Sequence, residues 1–470
     1  MKTPFKTPFI IVCILAAVAA WCAHLQFDTK QIISTSIFLL IICGTLFYWR
    51  FRLAFAFSGI AVLLGAGLLD IPHVIEFAGL DIILFLVGMM TIVGFLEESH
   101  FFEYLVAKVV DNVGERPYLL MTVLMVMSSI FAALVDEVTS ILFMMSTIFH
   151  ITKRYKVNPI PFILMVVFAT NIGSSATAVG NPIGVMIALR AQLSFLDFLR
   201  WASPVSLVCL MITIPVCFFL FNKEMGELKE KMRKRGNEPH ELRHVAYTKS
   251  GIQVCWALFG ATVVCLVMHH PIEHLLHLEK NTLLIGTALF FASIAIVMKA
   301  GEARDFFMRR VDWWTLTFFM ALFASVGTLK YVGVTERIAE MMIATSQSGG
   351  HTMLLNIFTA AICLLTGFMD NVLAVATFIP ILSDIEKAGV YIFPFWWAML
   401  FGGTMYGNLT VIGSTANIVA MGMLEKESNE HITFMRWLKP GFVVATLTIV
   451  VAMAILYMQF PLMPGHPEHF

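Results

Sequence analysis

Three acidic side chains, Asp136, Glu137 and Asp370, lie inside otherwise apolar stretches, FAALVDEVTSILF and LTGFMDNVLAVAT. A charged carboxylate at the centre of a bilayer costs about 2.5–3.5 kcal/mol or more on an isolated helix, so these three must face a wet cavity, bind a cation or carry a proton. The plain structural alternative is a carboxylate capping a helix N-terminus, where the helix dipole favours it. Two equivalent acids in two segments point further, to a paired site at Asp136 and Asp370 that suits a cation such as Na+. Capping and ion binding can coexist. Thr139 and Ser140 follow the first acid pair closely and add oxygen ligands.

A second polar feature sits in two other apolar runs. Asn171, Gly173, Ser174, Ser175, Thr177, Gly180, Asn181 and Pro182 cluster in one, and Gly402, Gly403, Thr404, Gly407, Asn408, Thr410, Gly413, Ser414, Thr415 and Asn417 in the other. Glycine and proline break a helix and free its carbonyls. Amide and hydroxyl oxygens suit a hard cation, whereas freed N–H groups at a half-helix start suit an anion. Glycine-rich helix packing alone accounts for the glycines and leaves Asn171, Asn181, Asn408 and Asn417 unexplained.

Other chemistry is poorly represented. Of the 14 histidines, His240, His244, His269, His270, His274 and His277 fall in predicted loops, and His24, His466 and His469 near the ends. None joins a cysteine or carboxylate in a metal-ligand pattern. The 8 cysteines lie in apolar runs without a CxxC pair and read as small buried hydrophobes. No Walker A sequence supports ATP-driven pumping. No cofactor is implied, and Na+ and H+ enter only as transported or coupling ions.

The elements that must position these residues follow from composition. The chain has 470 residues, 59% hydrophobic and 13% charged, against about 45–50% and roughly 25% in soluble proteins. A soluble globular enzyme and a disordered chain are excluded. With 31 basic and 31 acidic residues the net charge is zero, so no basic field points to nucleic acid. The class is an all-α polytopic membrane protein whose partner is the lipid bilayer. Lys2 and Lys6 before the apolar run from Phe9 resemble a signal peptide, but the next span begins only a few residues later, which favours a retained first span.

Apolar runs define about eleven crossings. The stretches 117–150 and 353–383 read instead as re-entrant hairpins, because the arms 138–150 and 372–383 are too short for a core of about 30 Å. With the N-terminus cytoplasmic, Arg50 and Arg52, Lys153, Arg154 and Lys156, the basic loop 223–250, and Arg309 and Arg310 all fall inside. The positive-inside rule is then met at every strongly basic loop. The C-terminus falls outside, and the protein is expected in the inner (cell) membrane.

The halves repeat. After the N-terminal spans (1–52), residues 53–222 form a first repeat with hairpin 117–150 and broken helix 160–190. The cytoplasmic linker 223–250 leads to a second repeat, 251–460, with hairpin 353–383 and broken helix 396–424. Asp81 and Asp312 open corresponding spans, interfacial helices near 98–116 and 333–350 follow, and FLRWASP and FMRWLKP open the last span of each. Corresponding spans run in opposite directions. Inverted repeats with broken helices mark secondary transporters with a midplane site.

The segments AALVDEVTSILF, TNIGSSATAVGNPIGVMIA, GFMDNVLAVATFIPIL and GNLTVIGSTANIVAMGM resemble the signature regions of the ion transporter superfamily. The closest likeness is to the branch of the arsenite permease, the NhaD-type sodium/proton antiporters and the melanosomal P protein. Dicarboxylate/sodium symporters are more distant relatives. The resemblance runs from about residue 50 to 460. It implies a homodimer with a scaffold and a mobile transport domain working as an elevator. It also implies a small-ion site at Asp136, Glu137, Thr139, Asp370 and Asn371 in the hairpin tips, and at Asn171, Thr177, Asn408 and Thr410 in the breaks, to which the polar cluster adds Ser174. The tips depart from the neutral Ser-Asn-Thr of the symporters: they read Asp136-Glu137-Val138 and Asp370-Asn371-Val372.

Two function classes stay open. The first, which the acidic tips favour, is a sodium (cation)/proton antiporter working as an elevator, in which three acids let proton and cation compete. The second is an anion permease for arsenite or di/tricarboxylates, with sodium as a coupling ion. An intramembrane Arg or Lys facing the site would separate them; the only candidates, Arg190 and Lys330, lie at span ends and read as interfacial anchors. No enzyme chemistry is indicated.

Overall fold

The computed structural model describes residues 6–113, 116–235, 249–346, 349–428 and 431–465. Lys2, His240, His244, His466 and His469, singled out above, lie outside them. Among the described residues the regular structure is helical throughout.

The first half contains α1 (Lys6–His24), α2 (Thr29–Phe47), α3 (Arg52–Gly65), α4 (Ile71–Phe77), α5 (Leu80–Glu98) and α6 (Phe101–Val113). The first hairpin follows, α7 (Pro117–Leu134) and α8 (Glu137–Tyr155), then the broken helix α9 (Ile160–Gly173) and α10 (Pro182–Arg190). α11 (Phe195–Trp201), α12 (Ser203–Leu220) and α13 (Asn222–Arg235) complete it. The second half runs through α14 (Lys249–Leu276), α15 (Thr282–Met298), α16 (Ala303–Arg310), α17 (Trp313–Tyr331) and α18 (Val334–Ser346). The second hairpin is α19 (Gly350–Phe368) and α20 (Asn371–Lys387). The second broken helix, α21 (Phe393–Thr404) and α22 (Thr415–Ser428), is joined by 3-10 turns, and α23 (Phe434–Gln459) ends the fold.

Local sequence sets these boundaries. Asp28 caps α2 through a reciprocal box with Gln31, and Asn181 followed by Pro182 starts α10, because a side-chain oxygen satisfies an orphan N–H and proline needs none at the first turn. Among the described residues seven helices are individually long and apolar enough to cross a membrane, or up to nine if each of two bent pairs counts as one span. Two of the seven are the first hairpin arms, α7 and α19. The count near eleven is reached only by adding shorter and broken paths: α1, α3, α9 with α10, α15, α17, and α21 with α22.

The hairpins need one correction. The return arms are 19 and 17 residues long, about 28 and 26 Å at the α-helical rise, because the helices continue through charged residues such as Lys153, Arg154, Asp384 and Lys387. Shortness is therefore not what makes them hairpins. Each return arm packs back on its first arm, and Ser140 Oγ donates to the Ser128 carbonyl at 2.8 Å across the first.

Polar contacts between distant elements sort the chain onto two faces. One face carries Lys153–Glu427 (2.9 Å), Arg310–Glu97 (2.7 Å), Lys299–Glu98 (3.0 Å) and Lys231 with the Lys156 carbonyl (2.5 Å). The other carries Arg190–Asp81 (2.7 Å), Gln31 with the Val332 carbonyl (3.2 Å), Asn281 with the Ala188 carbonyl (3.0 Å) and Gln459 with the Trp201 carbonyl (3.2 Å). Every pair joins residues that the count of sides puts together. We call the first the basic face.

Packing divides the helices into two groups. Helices α7–α10, α12 and α19–α23 pack chiefly on one another, while α1–α5 and α14–α17 form the second group. The inverted repeat is visible inside the first group. A Cβ on Gly180 would lie 2.3 Å from the Ser174 carbonyl oxygen and 3.0 Å from that of Ala132; on Gly413 it would lie 2.5 Å from the Gly407 oxygen and 3.0 Å from that of Thr366. The two breaks thus press their backbones against the hairpins in the same way. Gly180→Ala and Gly413→Ala should each destabilise the purified protein by about 1–3 kcal/mol, the usual cost of overpacking. Gly422→Ala, at a helical position with open space, should not lower the melting temperature. Equal melting of all three variants would refute this close approach.

Candidate functional site

Four helices begin at one place. Asp136 caps α8, accepting from Thr139 N at 2.7 Å and from Thr139 Oγ1 at 2.6 Å. Asp370 caps α20 through Val372 N at 3.0 Å and accepts from Thr415 Oγ1, in the first turn of α22, at 2.9 Å. Asn181 caps α10 through Gly184 N at 2.8 Å. The positive ends of four helix dipoles therefore point into a region that also holds three carboxylates.

The breaks are tied to the tips and to each other. Thr177 Oγ1 donates to the Ala133 carbonyl, and Thr410 Oγ1 to the Gly367 carbonyl at 2.7 Å; each acceptor stands three residues before its tip acid. Asn171 Nδ2 donates to Asn408 Oδ1 at 2.7 Å and to Asn417 Oδ1 at 2.9 Å. Asn417 Nδ2 donates to the Gly407 and Thr410 carbonyls, both at 2.8 Å. Ser174 Oγ donates to the Asn171 carbonyl and accepts from Asn181 Nδ2. These amides supply the donors that freed mid-depth carbonyls require.

Glu137 occupies the centre. It is 2% exposed, its Oε1 accepts from Ser414 Oγ at 3.2 Å, and Ser414 also reaches Asn171 Oδ1 at 3.1 Å. Its Oε2 and the buried Asn371 Nδ2 make no close hydrogen bond to other groups, though the Asn371 amide lies near enough to act on the Glu137 carboxylate. Sequence reasoning paired Asp136 with Asp370. In the structure Asp370 acts electrostatically on Glu137, while both oxygens of Asp136 are engaged by Thr139. Among the described residues no three His, Cys, Asp or Glu side chains gather as a metal site.

Beside this cluster lies a cavity of about 360 Å³. Hairpin 1 and the breaks contribute Asp136, Glu137, Thr139, Asn181 and Thr415; α5 contributes Phe85, Met89 and Glu97; α3 and α17 contribute Arg52 and Thr315. Hairpin 2 contributes only Val372.

Two arginines, Arg52 and Arg310, line the cavity. The sequence offered only Arg190 and Lys330 as candidates and read both as interfacial anchors, so it missed the arginines that do line the cavity. Arg190 pairs with Asp81 on the face opposite the basic one, and Lys330 is absent from the cavity wall. Arg52 and Arg310 were counted as loop charges, although Arg52 is the first residue of α3 and is 6% exposed. Ser414, Thr415 and Asn417 were visible as part of the second polar cluster, but only the fold singles them out as partners of the acids.

Comparison with known proteins agrees with this architecture. A family model described as citrate transporter matches residues 37–402. An uncharacterized transporter of Mycobacterium tuberculosis is 30% identical over 408 residues, covering 85% of this chain and 92% of that protein. The 46 kDa membrane protein of Mycobacterium leprae is 29% identical over 394 residues, 82% of this chain and 87% of that protein. The P protein of Homo sapiens is 24% identical over 459 residues, 82% of this chain and 54% of that protein. The chain is thus a multi-pass membrane transporter and belongs to the citrate transporter family of the ion transporter superfamily.

Proposed function

We propose that the protein is a secondary transporter of a small organic anion of the carboxylate class, coupled to Na+ or H+ at the hairpin tips. The observation that carries this reading is the cavity. At about 360 Å³ it lies in the range of small-molecule sites, about 300–1,000 Å³, and far exceeds the space a bare cation needs. Its wall mixes apolar side chains with arginine, amide and hydroxyl groups, which suits an organic anion. The name of the matching family model, citrate transporter, agrees, and we take citrate as the first substrate to test.

In this reading Glu137, Asp370 and the neutral oxygens of Asn371, Ser414 and Thr415 hold the coupling cation. The group of α7–α10, α12 and α19–α23 is the mobile unit of an elevator, and α1–α5 with α14–α17 is the scaffold of a homodimer. By the positive-inside rule the basic face is cytoplasmic. Glu97, Arg310 and Arg52, which line the cavity, belong to that face, so the cavity represents an inward-open state.

Sodium/proton antiport is the second reading. It is favoured by the excess of acid in the cavity wall, where Glu97, Asp136, Glu137 and Asp312 outnumber Arg52 and Arg310. Proteoliposomes separate the two. Labelled citrate should accumulate against its gradient when an inward Na+ or H+ gradient is imposed. Sodium efflux driven by a pH gradient without any carboxylate, together with no citrate uptake, would reject the carboxylate reading in favour of antiport.

Glu137 and Asp136 should differ in effect. Glu137→Gln removes the free carboxylate oxygen, so gradient-driven accumulation should fall to simple equilibration while citrate exchange across the membrane persists. Asp136→Asn keeps a good helix cap and should retain accumulation within roughly threefold of wild type. Equal loss in both variants would place Asp136 in the cation site as well and remove the distinction drawn here.

A further inference from the structure

We propose that Arg52 is the residue that binds the carboxylate group of the transported anion, from the scaffold side of the cavity. The inference rests on the carboxylate-transport reading and names the residue that reads its charge.

The two cavity arginines are in different states. Arg310 is occupied: Nη1 donates to Glu97 at 2.7 Å and Nε to Glu98 at 3.0 Å. Arg52 is not. Its Nη2 donates to Thr315 Oγ1 at 2.5 Å, and Thr315 Oγ1 donates on to Asp312 Oδ2 at 2.5 Å. Its Nε, buried, has no partner. Asp370 and Asp312 attract the guanidinium electrostatically, yet among the described residues no carboxylate forms an ion pair with it.

Geometry prepares this guanidinium for a planar anion. It lies 4.2 Å from the Trp49 ring centroid and 5.2 Å from that of Phe318, so its orientation is fixed by stacking. A guanidinium offers five N–H donors, and a carboxylate takes two of them side by side. The Nε donor is the one left without a partner. A buried cation without a hydrogen-bonded counter-ion is costly to the folded state, and a carboxylate entering the cavity would relieve that cost. A neutral or cationic substrate would not.

The test uses the purified full-length protein and citrate, with glycerol as the uncharged control. Wild type should melt at higher temperature with citrate and show no specific response to glycerol. Arg52→Gln should melt no lower than wild type without citrate, since it removes an unpaired buried charge, yet lose at least about tenfold in citrate affinity. Arg52→Lys keeps the charge but not the fork and should bind more weakly than wild type. It also serves as the test if the glutamine variant does not fold. Citrate affinity unchanged in Arg52→Gln, or in Arg52→Lys where only that variant folds, would overturn the assignment and leave the carboxylate reading standing. A lower melting temperature with unchanged affinity would make Arg52 structural only. No response of wild type to citrate would overturn both.

Discussion

Everything in this molecule depends on how non-helical backbone is satisfied at depth. A bilayer offers no water to the carbonyls and N–H groups that a helix break exposes. Here each break is held by a threonine, Thr177 or Thr410, bonded to the carbonyl three residues before a hairpin tip. The two breaks are then locked to each other by Asn171, Asn408 and Asn417. Remove that network and the four helix N-termini would have no common point to converge on. The polar site is therefore a by-product of the same bonds that make the breaks tolerable.

The arrangement also explains why polar residues other than the acids are so densely clustered. Gly180 and Gly413 let backbone approach backbone, which brings carbonyl oxygens into the interior. Each needs a donor. Asn417 supplies two, to Gly407 and Thr410, and Trp437 supplies one to the Asn408 carbonyl at 3.1 Å. Buried side-chain atoms still without a partner occur in several parts of the fold, and those around the tips and the cavity include one oxygen of Glu137, the amide nitrogen of Asn371, the Thr366 hydroxyl and the Nε of Arg52. Unsatisfied buried groups of this kind mark the place where a ligand would complete the set.

Much of this was legible in the sequence, for physical reasons. Acids inside apolar runs and amides inside glycine-rich runs are expensive in a membrane, so Asp136, Glu137, Asp370, Asn171 and Asn408 stand out without any structure. The inverted repeat was readable because its polar marks recur in register. Arg52 was not legible. A basic residue near a span end satisfies the positive-inside rule, and that rule cannot separate an arginine anchored in a loop from one folded back under Trp49 and Phe318. The different roles of Asp136 and Glu137 were hidden as well, since adjacent residues at a helix start point in different directions: Asp136 turns back onto its own helix and Glu137 reaches across to Ser414.

Coupling follows from where the charges sit. On the scaffold, Arg310 is matched by Glu97 and Glu98, and Arg52 leans through Thr315 on Asp312. On the group proposed to move, Asp136, Glu137 and Asp370 gather at the tips with only hydroxyl and amide partners. An empty mobile unit would carry these carboxylates through a low-dielectric interior, where neighbouring like charges repel and desolvation is costly. In the proposed mechanism, cations or protons at the tips would neutralise them before the unit shifts. A carboxylate anion alone would add to the repulsion, and a cation alone would leave the Arg52 donor unmet. Transport of one would then depend on the other, because only the two together meet the charges of both tips and cavity.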